Sequence, residues 1–214
     1  MALIISEGLT EDDTVVGNTY DKYGSSNPIV KRIMAGFDNS LSGLVDRTGA
    51  TSIHEIGCGE GYWSLKFLSE GKDVRGTDFS EKVIEIAKKN AIERGHDPMR
   101  FTQQSIYDAV PERDSSELII CCEVLEHLEH PEVGLRALKG ITTKHLIVSV
   151  PREPVWRGLN MVRGKYLSDL GNTPGHLQHW SKRGFTRLVS QHFEIVETLS
   201  PLPWTMLLCR PRTH

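Results

Sequence analysis

The stretch Ser52-Ile53-His54-Glu55-Ile56-Gly57-Cys58-Gly59-Glu60-Gly61-Tyr62-Trp63 (SIHEIGCGEGYW) places three glycines in five positions, directly after a short apolar alternation. In a strand–turn–helix unit, glycines permit a tight turn, close approach of the backbone to a ligand, and close helix–strand packing. Asp78 follows 21 positions after Gly57, at the end of the next predicted strand. A carboxylate there accepts hydrogen bonds from both hydroxyls of a ribose. The spacing also excludes ligands. Dinucleotide sites carry GxGxxG to seat a pyrophosphate, whereas Tyr62 stands where that third glycine belongs. A phosphate-binding P-loop is excluded by the lack of GK[ST]. A ligand with a ribose but no pyrophosphate fits, and Glu55 then faces a positive group. The competing reading is a tight turn with no ligand, with Asp78 capping a helix that starts near Ser80.

Outward from this unit the pattern alternates strand and helix. Ser52–Ile56 reads as a strand, Tyr62–Ser69 as a helix, Asp73–Thr77 as a strand and Glu81–Arg94 as a helix. Short strands follow at Arg100–Gln103 and Glu117–Cys122, the second a nearly continuous apolar run expected of a strand covered on both faces. A helix near Glu132–Lys139 precedes a strand at His145–Val150, and a last helix lies near Ser181–Gln191. Such alternation predicts a parallel sheet with helices on both sides. Phe193–Leu199 and Trp204–Cys209 are close enough to pair as an antiparallel hairpin at one sheet edge. Upstream, Asn27-Pro28 supplies an N-cap and a first-turn proline. The apolar spacing from Val30 to Val45 predicts an amphipathic helix ending near Asp46.

The 214 residues suffice for one sizeable domain. A hydrophobic fraction of 38%, a charged fraction of 25% and a net charge of −3 give no global basic field for nucleic acid. Residues 1–17 are acidic and featureless, and are expected to be a flexible N-terminal tail. The apolar Met1–Ile5 is too short and lacks the positive start of a secretory signal, and no run approaches a spanning helix. Cys58, Cys121, Cys122 and Cys209 show no CxxC spacing, so neither a zinc site nor a disulfide framework is expected, and a cytoplasmic location fits.

Taken in order, HEIGCGEGYW, VRGTDFS, QQSIYDA and LIICCEVLEHLEHPE resemble the class I S-adenosylmethionine-dependent methyltransferases over roughly residues 51–210. The resemblance implies an α/β, Rossmann-like, doubly wound sheet of seven strands, mostly parallel, with the last strand antiparallel. It implies S-adenosylmethionine as cofactor and S-adenosylhomocysteine as product. Gly57, Gly59 and Gly61 would line the methionine part, with Glu55 beneath its amino group. Asp78 would hold the ribose hydroxyls, Phe79 would lie against the adenine, and Ser105 and Ile106 would border the adenine edge. Many relatives carry aspartate where this chain has Ser105. Cys122 would approach the methionine end. In similar methyltransferases the region before the first helix folds over the cofactor, which makes Tyr20 or Tyr23 a candidate to close the site. The other reading of these tyrosines is a pair of aromatics that anchors the tail.

Glu123, Glu126 and His127 stand at i, i+3 and i+4 and share one face if that segment is helical. His176 and His179 follow in GHLQHWS. The set ExxEH with a distant histidine resembles both the small-RNA terminal 2′-O-methyltransferases and the ubiquinone-pathway O-methyltransferases. That likeness makes Glu123, Glu126, His127 and His176 candidate ligands of a divalent metal that lowers a hydroxyl's pKa. The preferred reading uses no metal. There Glu123, His127 and His176 are the candidate catalytic groups, with His127 or His176 as general base, a task suited to neutral imidazole near pH 7. EVLEH also occurs in methyltransferases without a metal.

Residues 151–187 hold seven cations, including Arg152 and Arg157, against Glu153 and Asp169, a balance of +5. A basic segment after the fifth strand of this fold predicts an acceptor bearing phosphate or carboxylate. Val155, Trp156, Leu159, Val162 and Tyr166 recur at helical spacing. They read as a lid helix packed on the domain, or as a peripheral membrane contact.

The sequence therefore predicts a single domain over 18–214, with an N-terminal helix and a substrate-side lid at 151–180. The expected activity is methyl transfer to a small polar acceptor, at oxygen. The alternatives are a metal-assisted 2′-O-methyltransferase of RNA ends or a quinone-precursor O-methyltransferase, and a non-catalytic regulator that binds the same cofactor. Nucleic acid as partner is disfavoured by the negative net charge.

Overall fold

A computed structural model describes residues 3–11, 14–18, 21–162, 170–173 and 175–212. Two short strands, β1 (Thr10–Glu11) and β2 (Thr14–Val15), pair near the start. Helix α1 (Pro28–Thr48) starts where Asn27 accepts hydrogen bonds from the Ile29 and Val30 amides, and stops at Gly49 in the left-handed region. Then come β3 (Ser52–Ile56), α2 (Tyr62–Ser69), β4 (Asp73–Asp78), α3 (Glu81–Glu93) and β5 (Phe101–Gln103). The short α4 (Pro111–Asp114), β6 (Ser116–Cys122), α5 (Pro131–Ile141) and β7 (Thr142–Pro151) complete the parallel part. Helix α6 (Val155–Val162), α7 (Lys182–Ser190), β8 (Phe193–Leu199) and β9 (Trp204–Pro211) close the chain.

Seven strands form one sheet in the order β5-β4-β3-β6-β7-β9-β8. Strands β3 to β7 pair in parallel, and β9 inserts antiparallel between β7 and β8. The alternation in β6 explains the layering. Leu118 and Ile120 face one core with Phe37, Leu41 and Phe67, while Ile119 and Cys121 face another with Leu135, Phe185 and Val189. Each of these buried aliphatic side chains contributes about 1.5–3 kcal/mol relative to exposure. Truncating Ile119 to alanine would cost about 2–5 kcal/mol by opening a void.

A polar pin crosses the bottom of the sheet. His54 is fully buried; its Nδ1 donates to the Asp114 carbonyl at 3.0 Å, and its Nε2 accepts from the Thr77 hydroxyl at 3.1 Å. The carbonyl can only accept, which fixes the proton on Nδ1. Burial holds the pKa of this imidazole down to about 4.

The N-terminal region differs from the expected flexible tail. In its described part Ser6 and Val16 are buried, β1 pairs with β2, and the Ile4 amide and carbonyl bond the side chain of Asn90 on α3. Composition misled because the partners of this polar segment lie elsewhere in the chain.

Candidate active site

The strand order reverses between β3 and β6, and in open α/β sheets ligands bind beyond the carboxyl ends of the strands at such a point. The glycine loop leaves β3 there. Gly57, Gly59 and Gly61 all have positive φ, at 76°, 54° and 86°. A side chain on Gly59 would project into open space within 4 Å, so the main chain itself lines the crevice. The Gly59 amide donates to Asp78 Oδ2 at 3.0 Å, and the Ser80 amide donates to Oδ1 at 3.1 Å. Glu55, 3% exposed, accepts from the Ser64 hydroxyl at 2.5 Å, and burial pushes its carboxyl up to about 8.

Phe79 follows Asp78 with 54% of its surface exposed, unusual for an aromatic beside a crevice. The Gln104 amide donates to the Asp78 carbonyl at 2.8 Å, which brings Ser105 and Ile106 to the same end of the sheet. Ser105 caps a short turn by accepting from the Tyr107 amide, and Ile106 is buried. Cys122 ends β6 with a buried thiol whose pKa burial pushes well up. Tyr20 lies outside the described residues. Tyr23 stacks on Tyr62, with centroids 3.6 Å apart and planes within 8°.

The acid–histidine set does not form one helical face. Leu125–His127 is a single 3₁₀ turn, and Glu123 precedes it at φ 60°, a left-handed conformation uncommon for a residue with a side chain. The Glu123 carboxylate accepts from the Ser149 hydroxyl at 3.1 Å and the Trp204 indole N–H at 2.5 Å. Glu126, His127 and His176 do converge, each offering a ligand atom within 4.8 Å of the others. The Glu126 carbonyl accepts from the amides of Leu177 and Gln178 at 2.8 and 2.9 Å, which fastens the distant histidine loop in place.

Glu126 is 1% exposed, and neither of its carboxylate oxygens has a hydrogen-bond partner among the described residues. Burial raises the pKa of both Glu123 and Glu126. His127 Nδ1 donates to the Gly175 carbonyl at 2.8 Å, so Nε2 keeps its lone pair. The His176 ring stands 4.9 Å from that of His127, nearly perpendicular, and burial holds its pKa down to about 3. Both imidazoles are neutral near pH 7.

In the segment after β7, Trp156 of α6 lies 5.9 Å from the His176 ring and 6.0 Å from Trp204, so one face of the predicted lid packs on the domain. Arg157 pairs with Glu153 at 3.5 Å, and His179 stands 3.8 Å from the same carboxylate. Arg152 Nε is buried without a hydrogen-bond partner among the described residues. Arg163, Lys165, Tyr166 and Asp169 lie outside them. Among the described residues no helix is long and apolar enough to cross a membrane.

Sequence reasoning missed Ser149, Trp204, Glu60 and Lys22. Burial pushes the Lys22 ammonium pKa down, opposed by the charges of Glu123, Glu60 and Glu126. No local pattern marks them: Ser149, Trp204 and Lys22 come from other elements, and Glu60, inside the glycine loop itself, has its hydrogen-bond partners 42 and 54 residues away.

The profile of a family described as a methyltransferase domain matches residues 53–143. A ubiquinone biosynthesis O-methyltransferase of Idiomarina loihiensis is 25% identical over 136 residues, covering 61% of this chain and 54% of that protein. The corresponding protein of Photorhabdus laumondii is 27% identical over 101 residues, 45% of this chain and 42% of its own length. The chain thus spans about half the length of these curated relatives. Among solved structures, magnesium protoporphyrin IX methyltransferase from Synechocystis PCC 6803, with S-adenosylhomocysteine bound, superposes with a TM-score of 0.66. It shows 21% identity over 88% of this chain and 90% of that one. The methyltransferase domain of bacterial CtHen1-C superposes with a TM-score of 0.67 at 17% identity, over 85% of this chain and 100% of that one. The two solved structures share the overall fold of this chain, whose seven-stranded, mostly parallel sheet with an antiparallel insertion is as expected from the sequence.

Proposed function

We propose that this chain, which carries a class I S-adenosylmethionine-dependent methyltransferase domain, transfers the methyl group to a hydroxyl oxygen of a small, polar, anionic acceptor. The observation that carries this reading is the convergence of Glu126, His127 and His176 near the end of β6, the strand beside the glycine loop's own. The sulfonium methyl is electrophilic by itself, so the main demand on the protein is in-line alignment. An alcohol also needs its proton removed, whereas an amine or thiolate needs less help. The acceptor oxygen forms a bond to the methyl carbon as the carbon–sulfur bond breaks, and S-adenosylhomocysteine leaves. The hydroxyl proton passes to His127 Nε2, whose ring is fixed through Nδ1.

In this reading Asp78 binds the ribose hydroxyls and the exposed face of Phe79 meets the adenine, bordered by Ser105 and Ile106. The bare loop at Gly57, Gly59 and Gly61 takes the methionine part, with Glu55 near its amino group and Cys122 at its far end. Arg152 and Arg157 both bury an Nε without a hydrogen-bond partner among the described residues, and both are candidates for an acceptor anion, although the charge of Arg157 is partly met by Glu153 at 3.5 Å. The names of the curated relatives support oxygen as the methylated atom. Incubation with labelled S-adenosylmethionine and a cell extract should label a small, acid-bearing product. Label confined to protein or RNA would overturn the acceptor class. Binding of S-adenosylhomocysteine with no label in any fraction would favour the non-catalytic regulator.

A second reading is favoured by the unpartnered oxygens of Glu126. A buried carboxylate without donors is costly unless a cation meets it. Glu126, His127 and His176 would hold a divalent ion, and such an ion would lower the pKa of the acceptor hydroxyl. The Gly175 carbonyl on His127 Nδ1 is the outer contact that commonly orients a metal-binding histidine. Calorimetric titration with manganese should give binding heat that His176→Ala abolishes while S-adenosylhomocysteine binding persists. No heat in the wild type would leave His127 acting as a base alone.

A further inference from the structure

The middle of the glycine loop carries a carboxylate with no place in the scheme above. Glu60 lies between Gly59 and Gly61, is 1% exposed, and spends both oxygens on the N-terminal segment. Its Oε1 accepts from the Ser6 amide at 3.1 Å, the Ser6 hydroxyl at 2.8 Å and the Asn18 amide at 2.7 Å, and its Oε2 accepts from Asn18 Nδ2 at 2.5 Å. The same segment is tied to the start of α3. The Ser80 hydroxyl donates to Glu11, and Lys82 Nζ donates to the Thr10 carbonyl at 2.7 Å. Asn90 joins both partners from α3, bonding Ile4 through its amide and carbonyl and donating to the Glu60 carbonyl at 3.0 Å.

We propose that Glu60 is a positioning residue for the cofactor, a latch that fastens the strap around Ser6 and Asn18 to the glycine loop and so sets how tightly the loop holds its ligand. The inference rests on the reading of that loop as the cofactor site. Glu60 itself touches no cofactor atom; it acts through the main chain of Gly59 and Gly61.

Three features support the latch. First, Glu55, Glu60 and Asp78 crowd three carboxylates into one small region, and a buried carboxylate is costly unless hydrogen bonds compensate its charge. The four bonds to the Glu60 carboxylate given above all come from the strap. Undocking the strap must therefore expose or strand this charge, which couples strap and loop. Second, burial pushes the Glu60 carboxyl up, yet donors from Asn18 and Ser6 hold it below the usual carboxylate range. Third, the strap fits closely at the latch. Gly17 has φ 65°, and a Cβ there would collide with Ser6 Oγ and stand 2.7 Å from Glu60 Oε1.

The coupling must be reciprocal, so the cofactor tightens the strap as much as the strap tightens the cofactor. Calorimetry with S-adenosylhomocysteine, paired with hydrogen exchange of the Ser6 and Asn18 amides, reads both sides. In the wild type the ligand should slow exchange at both amides. Glu60→Ala should speed that exchange and weaken binding by at least about tenfold, the usual scale of such coupling, with Glu60→Gln recovering part of the loss. Asn18→Asp sets two carboxylates against each other and should weaken binding. Adding Glu60→Gln to it should restore affinity, because the amide introduced in the glycine loop then donates to the carboxylate introduced in the strap. This reciprocal rescue keeps the proposal testable if Glu60→Ala does not fold. Faster exchange with unchanged affinity would overturn the latch and leave a structural contact only. No binding by the wild type would instead overturn the cofactor reading on which the latch rests.

Discussion

The indole N–H of Trp204 donates to Glu123 across the width of β7, at 2.5 Å, while Ser149 of β7 donates to the other carboxylate oxygen at 3.1 Å. Glu123 thus bridges three strands and is tied to β7 and β9, not to the histidines that its spacing places beside it. Removing the indole donor leaves a half-buried acidic oxygen unpartnered, which costs at most about 1–3 kcal/mol. Trp204→Phe should accordingly lower the melting temperature by roughly 2–4 °C per kcal/mol lost in a chain of this size. Trp156→Phe, which loses only a bond to the Thr173 hydroxyl, is the control and should fall less. Equal losses would mean that the Glu123 contact has no special weight.

Asp78 links the glycine loop to the second strand through the Gly59 amide. Two ribose hydroxyls meeting its carboxylate gain charge-assisted bonds of about 1.5–3 kcal/mol. Asp78→Ala should raise the dissociation constant for S-adenosylhomocysteine roughly 10- to 100-fold, with Asp78→Asn intermediate. A melting curve on each variant separates lost affinity from lost fold. Unchanged affinity in a folded variant would remove Asp78 from the cofactor site.

Burial keeps Glu55 protonated at neutral pH in the ligand-free chain, its pKa standing at about 8. A cationic amino group seated against it favours the carboxylate, so binding releases a proton. Affinity for S-adenosylhomocysteine should then rise from about pH 6 to about pH 8 and level off above. Calorimetry in phosphate and in Tris, which differ in ionisation enthalpy, reads the released proton as a difference in heat. Identical heats would mean that Glu55 does not meet the amino group.

His54 makes stability depend on pH. Its pKa is depressed in the folded state to about 4, so its contribution is complete above the ordinary histidine value and is lost as pH falls through the folded one. Between about pH 6.5 and pH 4 this amounts to at most about 3 kcal/mol. Asp114 is held near 2 because bonds from Arg113, Val110 and Gln104 outweigh its burial, so its own share fades only at lower pH. Urea unfolding of His54→Asn against wild type should show a stability gap that narrows from pH 7.5 to pH 5. A constant gap would mean that His54 does not titrate in this window.

Much of this molecule is written locally. The period-2 and period-3.6 patterns mark the strands and helices of the domain, because burial of one face imposes those periods on any chain. Glu55, Gly57, Gly59, Gly61 and Asp78 are legible for a related reason: a strand, a turn and the next parallel strand bring them together within one supersecondary unit. Tertiary structure decided the rest. His176 meets Glu126 and His127 only because the Glu126 carbonyl captures the loop at Leu177 and Gln178. Glu123 turns aside because sheet order sets Trp204 within reach, 81 residues away in sequence. Ser6 and Asn18, read as part of a tail and its border, find Glu60 at separations of 54 and 42 residues. Hydrogen bonds between distant polar groups leave no periodic trace in a sequence, since their partners are chosen by how the strands are ordered and not by spacing along the chain.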